Sequence, residues 1–468
     1  MKKIKTLLIN TPTRTDIPSG DFPLGIGYIA AVLNKNKLPF EVLDIDAYRY
    51  SKKEVTKRLK EMECDVIGIG GIVTSYKYTK WLIKTAKKVK PGVKVIVGGH
   101  LGTSIPDLLF KNSKVDFIVM GDGEDTIVDL IRNIDNPKHV KGICYRHGRK
   151  IIRNSPRQPI ENLDSIPFPA YEMFPTEKYV STSMLSIETN SNPRSIGIVT
   201  HRGCPFRCIF CHNPNQKIRS RSPENIIKEV KFLKNKYDIN FVHFADELFV
   251  INKKWVLRLC ELMKKEKIRI AWSCMCRVNL VDESLLRKMK SSGCVYVGFG
   301  IESASQKMLD AMKKDCTVEQ QKNAIRVTRK LGFNTYPTFI IGTPGETEET
   351  VMESVEFCKE FGLMPEFFYM TPFPNTELYH IAMKKKLIKN EDKYIENLGE
   401  CTELRVNLTD MSDKDLIALK KRAEQRIYLN FMIRHPFAII NKIFKTYKNY
   451  GFLRLFSLVK QRISVILK

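Results

Sequence analysis

Three cysteines on one short segment are the residues of this sequence best suited to metal chemistry. Cys204, Cys208 and Cys211 follow one another with C-x3-C-x2-C spacing, within the segment from His201 to His212. Three thiolates on one loop bind three irons of a 4Fe-4S cube and leave the fourth iron without a protein ligand. The spacing therefore predicts a cluster with one iron open to a reacting molecule.

Zinc and simple burial are the alternatives to a cluster. Zinc sites usually take four Cys or His ligands at C-x2-C spacings, and no second pair lies at a matching distance. His212 is a possible fourth ligand, so zinc stays open. Burial as small apolar groups fits poorly, because Gly203 and Pro205, beside Arg202 and Arg207, indicate an irregular polar loop.

The cysteine segment resembles the signature of the radical S-adenosylmethionine (SAM) enzymes. The motif GCPFRCIFC follows a strand-like run from Ser195 to Thr200, as it does in that family. The resemblance implies that the open iron chelates the amino and carboxylate groups of SAM. It also implies that an electron from the cluster cleaves SAM to a 5'-deoxyadenosyl radical, and that Phe210 lies near the adenine.

Length and composition limit the class of protein. A chain of 468 residues with 43% apolar residues predicts two or three folded domains. There is no run of eighteen apolar residues and no signal-peptide pattern at the start, so we expect a cytoplasmic protein. The 12 cysteines do not form a secreted disulfide pattern; buried thiols are expected outside the triad, and an auxiliary cluster at Cys274 and Cys276 is not favoured. The net charge of +27 invites a nucleic-acid or membrane partner, but much of it is lysine spread along helices.

The first third of the chain alternates short apolar runs with helical patterns. Five β-α units predict an open, doubly wound parallel sheet, in which ligands bind beyond the carboxyl ends of the strands. The predicted strands are Thr6–Ile9, Phe40–Leu43, Val66–Gly70, Val93–Val97 and Phe117–Met120.

Unusual residues cluster at the ends of these strands, and their order resembles the cobalamin-binding, Rossmann-like domain that precedes the barrel in many radical SAM proteins. The resemblance implies a set of cobalamin contacts: Asp44, Thr74, Ser75, Gly98, Gly99, His100, Gly121, Gly123 and Glu124. The glycines also have a purely structural explanation, because tight β-α loops need them.

One departure from the cobalamin pattern concerns the cobalt ligand. Classical cobalamin domains carry D-x-H-x-x-G, whereas this chain reads Asp44-Ile-Asp-Ala-Tyr-Arg49, without the histidine. Either cobalamin binds without a protein imidazole or the domain has lost the cofactor; binding is the favoured hypothesis. We expect His100 to be a strand-end contact and not a cobalt ligand.

The middle of the chain repeats the β-α pattern. With the strand before Cys204, the strands near 241–244, 268–273, 295–300, 335–341 and 367–371 make six units, which predicts a partial (β/α)6 barrel. Its resemblance to the radical SAM barrel implies a set of SAM contacts: Phe210, Asp246, Glu247, Arg277, Glu302 and Ile341. Structural alternatives are a helix cap near Asn252 for the two acids and an ion pair of Arg277 with Asp282.

These patterns divide the chain into four regions: a cobalamin-binding domain (1–135), a proline-rich linker (136–193), the barrel (194–400) and a basic helical region (401–468). The segment from Phe452 to Leu467 mixes Leu, Ile and Phe with basic residues. Such a helix suits the surface of an anionic membrane, and it equally suits a cover for the open side of the barrel.

The resemblance implies a cobalamin-dependent enzyme that methylates an unactivated carbon of a small-molecule or lipid-like substrate. Its cofactors would be a 4Fe-4S cluster, SAM and cobalamin, with a ferredoxin- or flavodoxin-type electron donor. The alternatives are a non-methylating cyclase or carbon-skeleton enzyme acting on a lipid or terpenoid, and an RNA-modifying enzyme. Nucleic acid is not the expected partner, because the end of the chain lacks the strands of a small RNA-binding barrel.

Overall fold

Two parallel sheets, one in each half of the chain, form the framework of the protein. The computed structural model describes residues 3–13, 20–182, 194–212, 217–335 and 337–436. The first sheet has the order β2-β1-β3-β4-β5-β6-β7. Its strands are β1 (Thr6–Asn10), β2 (Phe40–Asp44), β3 (Val66–Gly70), β4 (Lys94–Gly98), β5 (Phe117–Val119), β6 (Ile143–His147) and β7 (Lys150–Arg153).

The predicted doubly wound sheet is confirmed, because β1 to β5 pair in parallel with helices between them. The helices are α1 (Leu24–Lys35), α2 (Ile45–Tyr48), α3 (Lys52–Glu61), α4 (Tyr76–Val89), α5 (Gly99–Ser104), α6 (Pro106–Asn112) and α7 (Glu124–Arg132). β6 and β7 were not predicted: they form an antiparallel hairpin on the β5 edge. The sheet therefore continues into the segment that the sequence analysis assigned to the linker.

The connector packs tightly on the first domain before the chain enters the second. Its helix α8 is Thr176–Thr182. The backbone N–H of Ala170 donates to the carbonyl of Gly27 in α1, and a Cβ on Gly27 would lie 3.0 Å from Pro169. The absence of a side chain at Gly27 thus lets the proline-rich strap lie directly against α1.

The second sheet has six parallel strands in the order β15-β14-β13-β12-β11-β8 and does not close, which confirms the partial barrel. Its strands are β8 (Ser195–Ile198), β11 (Phe241–Phe244), β12 (Ala271–Cys276), β13 (Cys294–Glu302), β14 (Pro337–Ile341) and β15 (Glu366–Tyr369), and a small hairpin of β9 (His201–Arg202) and β10 (Arg219–Ser220) follows β8. The helices are α9 (Pro223–Tyr237), α10 (Lys253–Lys265), α11 (Glu283–Ser291), α12 (Gln306–Ala311), α13 (Val318–Lys330), α14 (Glu348–Glu360), α15 (Glu377–Lys384), α16 (Glu391–Glu396) and α17 (Asp413–Arg434).

The two faces of the second sheet differ in exposure. Residues on one face are buried beneath the helices: Phe244, Cys274, Phe339, Ile341 and Phe367. Their neighbours along the strands are exposed or half-buried: Ala245, Met275, Thr338, Ile340 and Phe368. Because successive residues of a strand point to opposite faces, the second set borders an open lumen.

The C-terminal region contains helix α17, which begins at Asp413 and ends at Arg434, with His435 as its C-cap. Helix α17 packs on α14. The predicted amphipathic segment 452–467 lies outside the described residues. In the described part of the chain, no helix combines the length and apolar character needed to cross a membrane.

Candidate active site

The three predicted cluster cysteines lie on the loop between β9 and β10, at the carboxyl end of β8. Cys204 and Cys208 are half-buried and Cys211 is exposed. Gly203 has a φ of 90°, which a residue with a side chain rarely adopts, and the N–H of Cys211 donates to the carbonyl of Cys208 at 3.1 Å. The glycine and this turn direct the chain so that the three thiols share one loop.

The electrostatics of the loop suit a metal cluster. Burial, Glu247 and the other two thiols raise the pKa of Cys211 to about 12, so free thiolates repel one another here. Bound metal cations remove that repulsion, because coordination requires deprotonated thiolates and neutralises them. Among the residues described, no group of three His, Cys, Asp or Glu could hold a single metal ion. Within those residues, the zinc alternative therefore finds no three-ligand group, and the cluster at the three cysteines stays a prediction.

Asp246 anchors the approach to the cysteine loop. Its carboxylate accepts hydrogen bonds from the backbone N–H of Thr200 at 2.6 Å and of His201 at 2.9 Å, and from the Thr200 hydroxyl. It is 5% exposed and does not cap α10, whose cap is Asn252. Its predicted contact with SAM stays a prediction, while its attachment to the loop is directly observed.

Arg277 lies against the cysteine loop. Its guanidinium stacks 3.5 Å above the ring of Phe206, and Nη1 donates to the sulfur of Cys208 at 3.6 Å. Nη2 donates to the carbonyl of Lys314. The alternative ion pair with Asp282 does not form, because Asp282 pairs with Lys253. A donor aimed at a ligand sulfur stabilises negative charge on that sulfur.

Glu302 forms a buried ion pair with Lys314. Lys314 Nζ lies 2.6 Å from Glu302 Oε1, and both side chains are 10% exposed. Glu302 has a φ of 62°, at a register shift of β13, and a Cβ on Gly300 would lie 2.3 Å from Oε1. A non-glycine residue in this conformation is strained, and such strain clusters at functional sites. Gly300 leaves the space in which the pair sits.

Glu247 supplies a carboxylate without a partner beside the cysteines. Its side chain is exposed, and the described residues offer it neither a hydrogen bond nor an ion pair. The surrounding protein nevertheless raises the pKa of Glu247, and the negative charge of Asp246 raises it further. Glu247 therefore keeps the free acceptor that the sequence predicted for SAM.

Two neighbouring isoleucines of β14 point to opposite faces of the sheet. Ile341 is fully buried on the helix-covered face. Ile340 faces the lumen and packs in the same apolar cluster as Phe210 and Ile209 of the cysteine loop. The adenine contact of Ile341 stays a prediction, and Ile340 is the apolar side chain of this pair on the lumen side.

The strand ends of the first domain form a small-residue edge. Gly121 is exposed, with a φ of 72°, and nothing lies within 4 Å of where its Cβ would be. In contrast, a Cβ on Gly99 would meet the carbonyl of Gly71 at 2.8 Å, so that glycine is required by the packing of the two strand ends. Gly98, Gly123 and Thr74 are half-buried and Ser75 is buried, with its hydroxyl donating to Ile72. At Gly121 this edge is therefore open, whereas at Gly99 it is closely packed.

Asp44 is buried in a hydrogen-bond network. Its carboxylate accepts from the Tyr179 hydroxyl at 2.8 and 2.9 Å, from Asn10 Nδ2 at 2.9 Å and from the N–H of Ala47 at 3.0 Å. Tyr179 belongs to α8 of the connector, so the network ties this strap to the first sheet. A contact of Asp44 with cobalamin stays a prediction.

His100 and Glu124, both predicted cobalamin contacts, reach the cysteine loop. The Nδ1 atoms of His100 and His212 lie 3.0 Å apart, and Ser104 Oγ is 2.8 Å from His212 Nε2. Glu124 is 4% exposed and pairs with Arg202 at 2.6 Å. The carboxyl edge of the first sheet therefore faces the cysteine loop across a contact of ordinary hydrogen-bond length.

Sequence reasoning missed two polar groups in the barrel. Lys314 is one of 78 basic residues and carries no positional signal. His243 faces the lumen, where its Nδ1 lies 2.8 Å from the Ser273 hydroxyl, and burial lowers its pKa. His243 could have been found by asking which residues of each predicted strand face the inside of the barrel.

Comparison with known proteins identifies the two halves. The radical SAM superfamily matches residues 198–358, and the B12 binding domain matches residues 17–131. An uncharacterized methyltransferase of Pyrococcus horikoshii is 31% identical over 97% of each chain. This chain belongs to the cobalamin-dependent radical SAM family.

Two further proteins are similar to this chain. An anaerobic magnesium-protoporphyrin IX monomethyl ester cyclase of Rubrivivax gelatinosus is 29% identical over 80% of this chain and 68% of its own. The radical SAM methyltransferase TsrM of Kitasatospora setae, solved with cobalamin and a 4Fe-4S cluster, has the same fold, with a TM-score of 0.68 at 19% identity over 83% of this chain and 76% of its own. As a radical SAM protein with a B12-binding domain, this chain is an enzyme whose cofactors are the cluster, SAM and cobalamin.

Proposed function

We propose that this enzyme methylates an unactivated carbon of a small-molecule or lipid-like substrate held in the barrel lumen. One observation carries the proposal: the carboxyl edge of the B12-binding sheet meets the cysteine loop, at the His100–His212 contact of 3.0 Å. A methyl donor and a radical generator act on one substrate carbon only if they face each other across a small distance. When bound, the cluster supplies the electron that cleaves SAM, and cobalamin carries the methyl group.

The charges around the cysteine loop match the amino-acid end of SAM, which carries an ammonium and a carboxylate. Glu247 is the free acceptor suited to the ammonium. Arg277 and Lys314 are the buried cations suited to the carboxylate, and Arg277 contacts the sulfur of Cys208. Phe210 and Ile340 provide an apolar surface on the same side for the adenine.

The lumen offers the substrate mostly apolar walls with a few polar groups, Thr338 among them. Met275, Ile340 and Phe368 line it, and His243 with Ser273 supplies hydrogen-bonding groups. Burial keeps the imidazole of His243 neutral at pH 7, so it orients a polar group without adding charge. This lining fits a largely apolar substrate with a neutral or weakly polar substituent.

A cyclase reaction is the second candidate, and similarity to the anaerobic magnesium-protoporphyrin IX monomethyl ester cyclase favours it. Both reactions begin with the same radical, so the site residues are shared. They differ in whether a methyl group enters the product.

Anaerobic reconstitution with iron, sulfide and hydroxocobalamin, followed by metal analysis and a SAM assay under reductant, tests the proposal. We expect about four irons and one cobalt per chain, with both 5'-deoxyadenosine and S-adenosylhomocysteine formed. The formation of S-adenosylhomocysteine distinguishes methyl transfer from the cyclase alternative, in which SAM yields 5'-deoxyadenosine without S-adenosylhomocysteine. A protein without iron contradicts both functions.

We further propose a reduced ferredoxin or flavodoxin as electron donor and a peripheral membrane contact through the basic C-terminal region. The membrane contact is supported by the amphipathic composition of residues 452–467. The full chain should sediment together with anionic vesicles, and a chain without residues 437–468 should not. Equal sedimentation of both proteins contradicts the membrane contact.

A further inference from the structure

Four charged side chains join the two halves of the enzyme on either side of the cysteine loop. Two are acids in the turn between β5 and α7 of the first domain, and two are arginines of the β9–β10 hairpin that brackets the loop. We define the domain clamp as Asp122, Glu124, Arg202 and Arg219.

The clamp is dense and shielded from water. Arg202 reaches both acids, with Nη2 2.6 Å from Glu124 and Nη1 3.4 Å from Asp122, and Arg219 pairs with the other oxygen of Asp122. No side chain of the four is more than 20% exposed. Ion pairs of this kind constrain geometry strongly, because removing one partner leaves an unpaired buried charge.

Neighbouring groups hold the clamp in place. The N–H of Ile160 donates to Asp122 at 3.0 Å, and Arg219 donates to the carbonyl of Ile160 at 2.9 Å. The ring of Tyr28 in α1 lies 5.2 Å from the guanidinium of Arg202. The connector and α1 thus fix the acids and arginines from the first-domain side.

The two arginines of the clamp lie near the two ends of the cysteine loop. Arg202 is two residues before Cys204, and Arg219 is eight residues after Cys211. Holding both ends of the loop fixes the loop itself relative to the strand ends of the B12-binding sheet. Sequence resemblance assigned Glu124 to cobalamin, but its carboxylate is occupied by Arg202.

We infer that the domain clamp sets the distance between the cluster and the cobalamin, so that Asp122 and Glu124 are positioning residues for methyl transfer. The inference rests on the proposed function. It predicts that a change in the first domain alters how the two cofactors interact while leaving each of them bound.

Glu124→Gln, Arg202→Met and the double variant test the clamp in reconstituted full-length enzyme. Iron and cobalt content should match the wild type in Glu124→Gln. The magnetic interaction between cob(II)alamin and the reduced cluster, measured by electron paramagnetic resonance, should weaken. S-adenosylhomocysteine formation should slow at least fivefold, while 5'-deoxyadenosine formation should change less than twofold.

The double variant distinguishes a clamp from two separate contacts. Because it removes both charges, it should be no slower than the slower single variant, whereas independent roles give additive losses. Asp107→Asn is the matched control, since it removes a carboxylate from an exposed ion pair with Arg153 inside the first domain. It should resemble the wild type in every measurement.

Three results overturn the clamp: a wild-type magnetic interaction in Glu124→Gln, additive losses in the double variant, or loss of cobalt from Glu124→Gln. The last would make Glu124 a direct cobalamin contact. Asp122→Asn repeats the test if Glu124→Gln does not fold. A wild type without iron or cobalt contradicts the proposed function and is recognised before any variant is compared.

Discussion

At the scale of single residues, Lys314 is the most informative position. It is 8% exposed and its only charged partner in the described residues is Glu302. Lys314→Met should leave the cluster intact but raise the KM for SAM about tenfold or more, because a cation suited to the SAM carboxylate is lost and Glu302 is left unpaired. Cleavage of SAM by reconstituted enzyme over a range of SAM concentrations measures it.

The neighbouring lysine provides the control for this prediction. Lys313 has the same chemistry, but it is half exposed and pairs with Glu377 at the surface. Lys313→Met should keep the wild-type KM. Equal effects of the two substitutions would show that net charge, and not the buried pair, matters.

Glu346 should make stability depend on pH. Burial raises its pKa from 4.5 to about 7, against the hydrogen bonds from Gly342 and Thr343. The unfolded chain ionises at the ordinary value, so the wild type loses stability as pH rises from about 4.5 to 7. Glu346→Gln has no such charge. The thermal midpoint of this variant minus that of the wild type, both measured on apoprotein, should therefore increase from about pH 4.5 to 7 and stay constant above about pH 8.

The control for the pH effect is Glu349→Gln, which changes an exposed carboxylate in the same region. Its midpoint should follow the wild type at every pH. A Glu346→Gln difference that is the same at pH 5 and pH 8 would mean that the buried carboxylate is not the cause.

At the scale of elements, the end of β13 depends on one glycine. Gly300→Ala places a methyl group 2.3 Å from Glu302 Oε1 and 3.2 Å from Lys314 Nζ, so the buried pair must move. We expect weaker SAM binding with normal iron content, measured by equilibrium dialysis and metal analysis. Gly25→Ala is the control: it has no atom within 4 Å of the new Cβ and should leave SAM binding unchanged.

Elements were more predictable than the directions of side chains. Val66–Gly70 and Phe241–Phe244 were predicted with their observed bounds, because continuous apolar runs are typical of buried parallel strands. The sequence of β14 hid which of Ile340 and Ile341 faces the lumen, since the last three residues of the strand are all apolar and give no period of two. The β6–β7 hairpin escaped prediction because its strands, such as Lys150–Arg153, carry charges on an exposed edge.

At the scale of the whole molecule, Tyr179 attaches helix α8 of the connector to the first sheet. Tyr179→Phe removes the hydroxyl that donates to Asp44 and leaves that carboxylate with fewer donors inside the protein. The free energy of unfolding should fall by about 1–3 kcal/mol. Urea denaturation measures it, and Tyr48→Phe, at an exposed tyrosine, should cost little. An unchanged unfolding curve in Tyr179→Phe would contradict the attachment.

The contacts between the two domains could not be predicted from the sequence. The cysteine motif and both sheets follow local rules of spacing and periodicity, so they were found. The partners of Arg202 and Arg219 lie roughly eighty to one hundred residues away in the chain. Pairing at that separation depends on how the completed domains dock, which no local pattern encodes.

A second contact between the domains has a consequence for synthesis. Asp392 in α16 accepts hydrogen bonds from Tyr76, Lys80 and Asn112 of the first domain, and Tyr76 precedes it by 316 residues. At roughly 5–20 residues per second, the ribosome needs roughly 16–63 s to make that stretch. For most of that interval the first domain is already complete, but its surface around Tyr76 lacks the carboxylate that later covers it. A chaperone that shields this surface on the nascent chain would act within that time and would have to leave when α16 emerges.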